Sequence, residues 1–143
     1  MCDLKQFTEE VLLRIRRAEG FSNMPYQCPA GHLTIGYGHN LEHGISAEAA
    51  EFILREDVSR AQREVKSAFI WWPKLTEARR FVLVDMCFNL GLSGLKKFTK
   101  MLTALEAGNF DTAADEMLNS RWAGQVGRRA RENAAMMKSG EWM

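Results

Sequence analysis

Apolar positions along the chain recur mostly at three- and four-residue steps, the period of a helix with one buried face. Leu4, Phe7, Val11 and Ile15 make the first such stripe. Asp3 is placed to cap it, with Gln6 three residues on as in a capping box. Gly20 is placed to stop it, which leaves Glu19 at the helix C-terminal end. Residues 21–44 break the pattern, with two of the three prolines, both tyrosines, all three histidines and several glycines. Short alternating runs at 25–27 and 33–37, around Cys28-Pro29-Ala30-Gly31, predict a β-hairpin.

Helical periodicity then returns. Ser46 caps a segment without Gly or Pro, about 46–68, with Ala49, Phe52, Ile53 and Val58 as its apolar stripe. At about 1.5 Å per residue it spans a small domain, long enough to tie two lobes together. Trp71-Trp72-Pro73 interrupts the pattern. Thr76 caps a helix that is apolar all round, stopped by Gly91, as expected at the centre of a second core. Helical pieces at 99–107, 111–119 and 126–138 follow, joined by short loops as in a helical bundle. The expected class is α+β and mostly helical, a single domain over 1–143. Lobe 1 covers about 15–50 with the hairpin. The helical lobe covers about 72–143 together with the N-terminal helix 3–18.

Composition and charge narrow the function classes. The chain has 143 residues, with 46% hydrophobic and 26% charged, which is ordinary for a globular protein. The net charge is +1, which argues against a general nucleic-acid binder. Residues 1–71 carry −2 and residues 72–143 carry +3, a difference that ordinary solvated helix faces explain. Cys2, Cys28 and Cys87 are an odd number, which points to synthesis in a reducing compartment. No apolar run has membrane-spanning length, and acidic residues stand where a signal peptide needs basic ones. No stable membrane association, secretory address or cofactor is expected.

Residues 19–43 concentrate the reactive side chains, and three chemistries are open there. Glu19 sits where the helix dipole disfavours a carboxylate, as suits a general acid, although a glutamate at a helix end is also an ordinary surface residue. Cys28-x3-His32 and His39-x3-His43 contain zinc-ligand types at loose spacing, as a zinc-dependent amidase would need. Cys28 with a histidine base would suit a thiol hydrolase.

One spacing stands apart from these. Glu19, eight residues, Cys28, five residues, Thr34 resembles the signature of the phage lysozymes of the T-even type, glycoside hydrolase family 24. Ala18-Glu19-Gly20 and Leu33-Thr34-Ile35-Gly36-Tyr37-Gly38-His39 are similar to the family's words around it. Met86-Cys87-Phe88-Asn89-Leu90-Gly91, Ser120-Arg121-Trp122, Arg129-Ala130 and Gly140-Glu141-Trp142 extend the resemblance over nearly the whole chain.

The resemblance implies an endolysin. It would be a muramidase that cuts the β-1,4 bond between N-acetylmuramic acid and N-acetylglucosamine in peptidoglycan, with inversion. The cleft would lie between a small hairpin lobe and a helical lobe joined by the long helix. Glu19 would be the general acid. Cys28, where the family has Asp or Cys, would stabilise positive charge or activate water. Thr34 would position that water, and both weigh towards hydrolysis over transglycosylation. Phe88, Asn89, Asn40, Met101 and Glu116 fall at sugar-contact positions, the last three with changed residue types. His39 would pair with Asp57, and Arg129 would lie next to the catalytic glutamate. Synthesis in the host cytoplasm, release by a holin, action in the periplasm at the cell wall and a monomeric state are implied with it. A tail-associated lysozyme domain is the less favoured setting, because no fused module is visible. A degenerate homologue that binds the wall without turnover is the alternative from outside enzymology, and the intact Glu19, Cys28 and Thr34 speak against it.

Overall fold

The computed structural model describes residues 4–143, with side chains from residue 8 onward. The cap expected at Asp3, the thiol of Cys2 and the side chains of Leu4 and Phe7 therefore lie outside the described residues. Seven α-helices and one three-stranded antiparallel sheet are found among those residues. The chain divides into two compact units, one ending at Glu51 and the other covering Phe52–Met143.

The first unit begins with α1 (Leu4–Glu19). The helix ends as its glycine predicts: Gly20 takes φ 70° and donates its N–H to the Arg16 carbonyl at 2.9 Å. Only a residue without Cβ adopts that left-handed conformation at little cost. This helix, expected alongside the helical lobe, falls in the first unit of the division.

The expected hairpin is part of a larger sheet, β1 (Ser22–Gln27), β2 (Leu33–Gly36) and β3 (His39–Asn40), in that order. Ser22 pairs with Gly36 and Tyr26 with Thr34, so β1 bulges between them. Pro25, which has no N–H for a ladder bond, stands in that irregular stretch. Thr34 is on the central strand, opposite Tyr26 on one side and Asn40 on the other. It is 3% exposed, the buried polar residue of this unit.

Asn40 then caps a 3-10 turn, Leu41–His43, its Oδ1 accepting from the Glu42 N–H at 2.9 Å. Ser46 caps α2 (Ala47–Ala68), its Oγ accepting from the Ala49 N–H at 3.1 Å. The boundary between the units falls inside this helix of 22 residues, which is about 33 Å long.

The second unit holds the main core. A 3-10 turn at Trp72–Lys74 leads into α3 (Glu77–Lys96), where the Thr76 side chain accepts from the Arg79 N–H at 3.3 Å. Gly91 interrupts this helix rather than ending it: at φ 74° and ψ 164° it breaks the axis, and the chain resumes to Lys96. Then come α4 (Thr99–Glu106) and α5 (Phe110–Leu118). The last expected helix is α7 (Arg128–Ser139), and a short helix that was not expected, α6 (Arg121–Val126), precedes it across Gly127 with φ 54°. Helix α5 packs on α4 and α7, and α3 and α6 pack on α7.

Val82, Leu83, Met86, Leu95, Met101, Met117 and Met137 are fully buried among these helices. Trp71, Trp72 and Trp122 are buried too, and Trp71 stacks on Phe69 at 4.8 Å. These three tryptophans are core residues of this unit, whereas Trp142 is exposed.

Two polar features tie the core together. Arg79 donates from Nε to the Met137 carbonyl at 2.7 Å and from Nη2 to the Lys138 carbonyl at 2.9 Å. Its guanidinium also lies 3.4 Å from the centre of the Phe110 ring. One side chain thus satisfies the free carbonyls at the end of α7. Buried Cys87 donates to Glu64 at 3.6 Å, and burial first, then the Glu64 charge and hydrogen bond, push its thiol from 9.0 up to about 11.

Replacing Arg79 by alanine is expected to lower the unfolding free energy by about 2 kcal/mol in urea titrations, since two charge-assisted bonds and a ring contact go together. The neutral Cys87 thiol has a pH consequence. Its raised value stabilises the folded chain below pH 9.0, and that stability is lost as pH rises from there through about 11. Cys87→Val is expected to flatten this alkaline decline in melting temperature.

Candidate active site

The first unit brings Glu19, Cys28 and Thr34 onto one small framework. Cys28 opens a tight turn, its carbonyl accepting from the Gly31 N–H at 2.8 Å. Pro29 suits the second position of such a turn, and Gly31 takes φ 84° at its end. The turn closes on His32, whose carbonyl accepts from the Cys28 N–H at 2.9 Å. That same carbonyl accepts from Thr34 Oγ1 at 2.8 Å.

This geometry acts on the half-buried thiol of Cys28. Hydrogen bonding to the His32 backbone pulls it below the ordinary thiol range. The partial burial opposes this, while the Ala30 and Gly31 backbones and the Thr34 hydroxyl reinforce it. Thr34 has one proton and two acceptors within reach, the His32 carbonyl and the sulfur. Cys28 and Thr34 therefore share a hydrogen-bond network that lowers the thiol from its ordinary value.

Glu19 reaches the same framework from the end of α1. Its side chain lies against the backbone of Gly38, in the turn between β2 and β3. A Cβ built on Gly38 would stand 2.6 Å from Glu19 Oε2 and 2.7 Å from Cδ. Gly38 also has φ 76°, so glycine is required there twice over. Glu19 is exposed within its unit, as is the nearby pair Phe21 and Tyr37, whose rings are 5.3 Å apart.

The histidines have partners close in the chain. His32 Nδ1 lies 3.0 Å from Glu42 Oε2, and His39 Nε2 lies 2.9 Å from the Gly44 carbonyl. Among the described residues no three His, Cys, Asp or Glu side chains are grouped as metal ligands. Asp57, expected to pair with His39, accepts from Arg60 one helical turn on at 3.1 Å. Arg129, expected beside the catalytic glutamate, is held by Asp85: its Nε donates to Oδ2 at 2.8 Å and its Nη2 to Oδ1. The hydrogen bond to Asp85 raises the guanidinium above its ordinary range. Asn133 donates to the same carboxylate at 2.7 Å. Asp85 carried no functional signal in the sequence, since its partners lie 44 and 48 positions away.

The expected sugar contacts divide. Phe88 is 43% exposed within its unit. The Asn89 side chain accepts from Trp122 Nε1 at 2.7 Å, and that of Asn40 caps the turn at Glu42. Glu116 borders a groove of about 370 Å³ with Lys97, Lys100 and Asn119. Met101 lies under the same groove but is 0% exposed, so its side chain offers a sugar nothing. The expectation for Met101 is corrected: α4 turns that apolar position into the core.

The phage lysozyme family profile matches residues 16–132, a span that contains Glu19, Cys28 and Thr34. The chain belongs to the phage lysozyme family. The endolysin of Acyrthosiphon pisum secondary endosymbiont phage 1 is 34% identical over 120 residues, covering 81% of this chain and 79% of that protein. The endolysin of Bacillus phage B103 is 35% identical over 114 residues, covering 73% of this chain and 41% of that protein. The pre-baseplate central spike protein Gp5 of Enterobacteria phage T4 is 28% identical over 145 residues, covering 81% of this chain and 25% of that protein. This phage lysozyme thus spans most of the first relative but less than half of the other two. As a lysozyme it is a glycoside hydrolase, whose chemistry needs a proton donor on one side of the bond and a base or charge stabiliser on the other.

The hydrogen bonding at Cys28 makes a labelling prediction. Iodoacetamide near neutral pH is expected to modify Cys28 at least about tenfold faster than buried Cys87, read by peptide mass spectrometry. Thr34→Val keeps the side-chain volume and removes the hydroxyl proton, and is expected to slow the labelling of Cys28.

Proposed function

We propose that this phage lysozyme is an endolysin, a muramidase that hydrolyses the β-1,4 bond between N-acetylmuramic acid and N-acetylglucosamine of peptidoglycan. The observation that carries the reading is the Glu19 carboxylate laid over Gly38 on the sheet that also bears Cys28 and Thr34. A carboxyl group, a thiol tuned towards its anion and a buried hydroxyl are what acid-assisted attack of water requires.

In this mechanism Glu19 gives its proton to the glycosidic oxygen as that bond to the anomeric carbon breaks. Positive charge develops on the sugar, and water attacks the opposite face. Cys28 stabilises that charge or activates the water, as the base that takes the proton the water loses. Thr34, whose own proton is engaged by the His32 carbonyl, uses its oxygen lone pairs to hold the water. Attack from the face opposite the leaving group inverts the anomeric centre. Within the second unit, Phe88 and Glu116 have the free surface that a sugar contact needs.

Family membership gives the cell wall as the place of action. Among the described residues no helix is long and apolar enough to cross a membrane. We assign the enzyme to host lysis as a monomer, made in the host cytoplasm and released to the periplasm by a holin. The endolysin relatives support this setting over a role in phage entry.

The test is the clearing of chloroform-permeabilised Gram-negative cells by wild type and Glu19→Gln, with analysis of the released fragments. Wild type is expected to clear the cells and release reducing muramic acid, and Glu19→Gln to lose at least about a thousandfold of that rate. Anhydro-muramic acid in place of reducing ends would assign a transglycosylase instead. Clearing that survives in Glu19→Gln would remove Glu19 from its role.

A further inference from the structure

Cys28 and Thr34 depend on a third residue that the catalytic scheme does not use. The His32 backbone accepts from the Cys28 N–H at 2.9 Å and from Thr34 Oγ1 at 2.8 Å, and it makes the leading hydrogen bond to the Cys28 thiol. The placement of the His32 backbone thus bears on both side chains, the 31–32 peptide through its N–H and the 32–33 peptide through its carbonyl. The first of these peptides joins Gly31, at φ 84°, to His32.

Its side chain adds a restraint. His32 Nδ1 lies 3.0 Å from Glu42 Oε2, and because a carboxylate only accepts, Nδ1 carries the proton. Glu42 is fixed in turn: its N–H donates to Asn40 Oδ1 at 2.9 Å, in the 3-10 turn that Asn40 caps. Asn40 is the β3 partner of Thr34. The links close into a ring, from Thr34 to Asn40 by strand pairing, to Glu42 by the cap, to His32 by the side-chain hydrogen bond, and back to Thr34 through the His32 carbonyl.

We propose that His32 and Glu42 are positioning residues for the hydrolysis, their pair closing the ring that fixes Cys28 and Thr34. The catalytic part of this inference rests on the muramidase reading above. Both side chains are about half exposed, so the pair is a modest restraint and its loss is graded.

The experiment compares wild type, His32→Ala, Glu42→Ala and Glu42→Gln. Two quantities are measured on each. One is kcat and KM for release of reducing ends from purified peptidoglycan. The other is the thiolate absorbance of Cys28 near 240 nm at about pH 8.5, with Cys28→Ser in the same background as the blank. The two alanine variants are expected to lose about two- to fivefold in kcat with KM unchanged, together with part of the thiolate signal. Glu42→Gln keeps an acceptor for the imidazole N–H and is expected to restore most of both. A thiolate signal that is unchanged in both alanine variants overturns the proposal, whatever happens to kcat. Wild type that releases no reducing ends would remove the muramidase reading alone, and the thiolate comparison would still decide whether the pair positions Cys28.

Discussion

A single steric constraint organises the first unit: the carboxylate of Glu19 occupies the space that a Cβ of residue 38 would need. For the two to meet, α1 must end at Glu19, which the left-handed Gly20 achieves. The β2–β3 turn must then present bare backbone to the carboxylate, which Gly38 alone permits. Once that approach is made, Thr34 on β2 and Cys28 at the end of β1 follow from strand pairing, because Tyr26, Gln27 and Thr34 are locked in register. The Glu19 carboxylate is therefore placed by what is missing at one position as much as by what is present at others.

Much of this was legible in the sequence because it is local. Gly20, Ser46 and Thr76 act within a turn of where they stand, so helix ends were readable from residue type. The spacing of Glu19, Cys28 and Thr34 was readable for the same reason, since one helix end and one pair of strands carry all three. The less legible parts have physical reasons too. A glycine with positive φ either stops a helix or breaks it and lets it resume, and Gly91 and Gly127 look alike on that score. Strand β3 is two residues long and offers no alternation to detect. Met101 was misjudged because family position indicates a place near the sugar without saying which way the side chain points. The His32 peptide carries no residue-type signature at all, because its bonds to Cys28 and Thr34 are made by backbone atoms.

The second unit distributes its polar anchors differently. Asp85 gathers Arg129 and Asn133 from α7 onto α3, and Arg79 reaches from α3 to the end of the same helix. Both are charge-assisted contacts between elements far apart in sequence. Where the first unit fixes a few atoms finely through backbone geometry, the second is held by apolar volume with two polar ties at its edge. Asp85 also means that the charge of Arg129 is already balanced inside its own unit.

That apolar volume is rich in thioethers: Met86, Met101, Met117 and Met137 are wholly buried and Met136 nearly so. Unbranched, polarisable side chains fill irregular gaps without demanding one exact shape, and volume-conserving exchanges among such residues cost little. A core of this kind is permissive to mutation. One apolar side chain there can replace another and still support the same helical scaffold, whereas the short run from residue 19 to residue 42 depends on single bonds that a substitution removes outright.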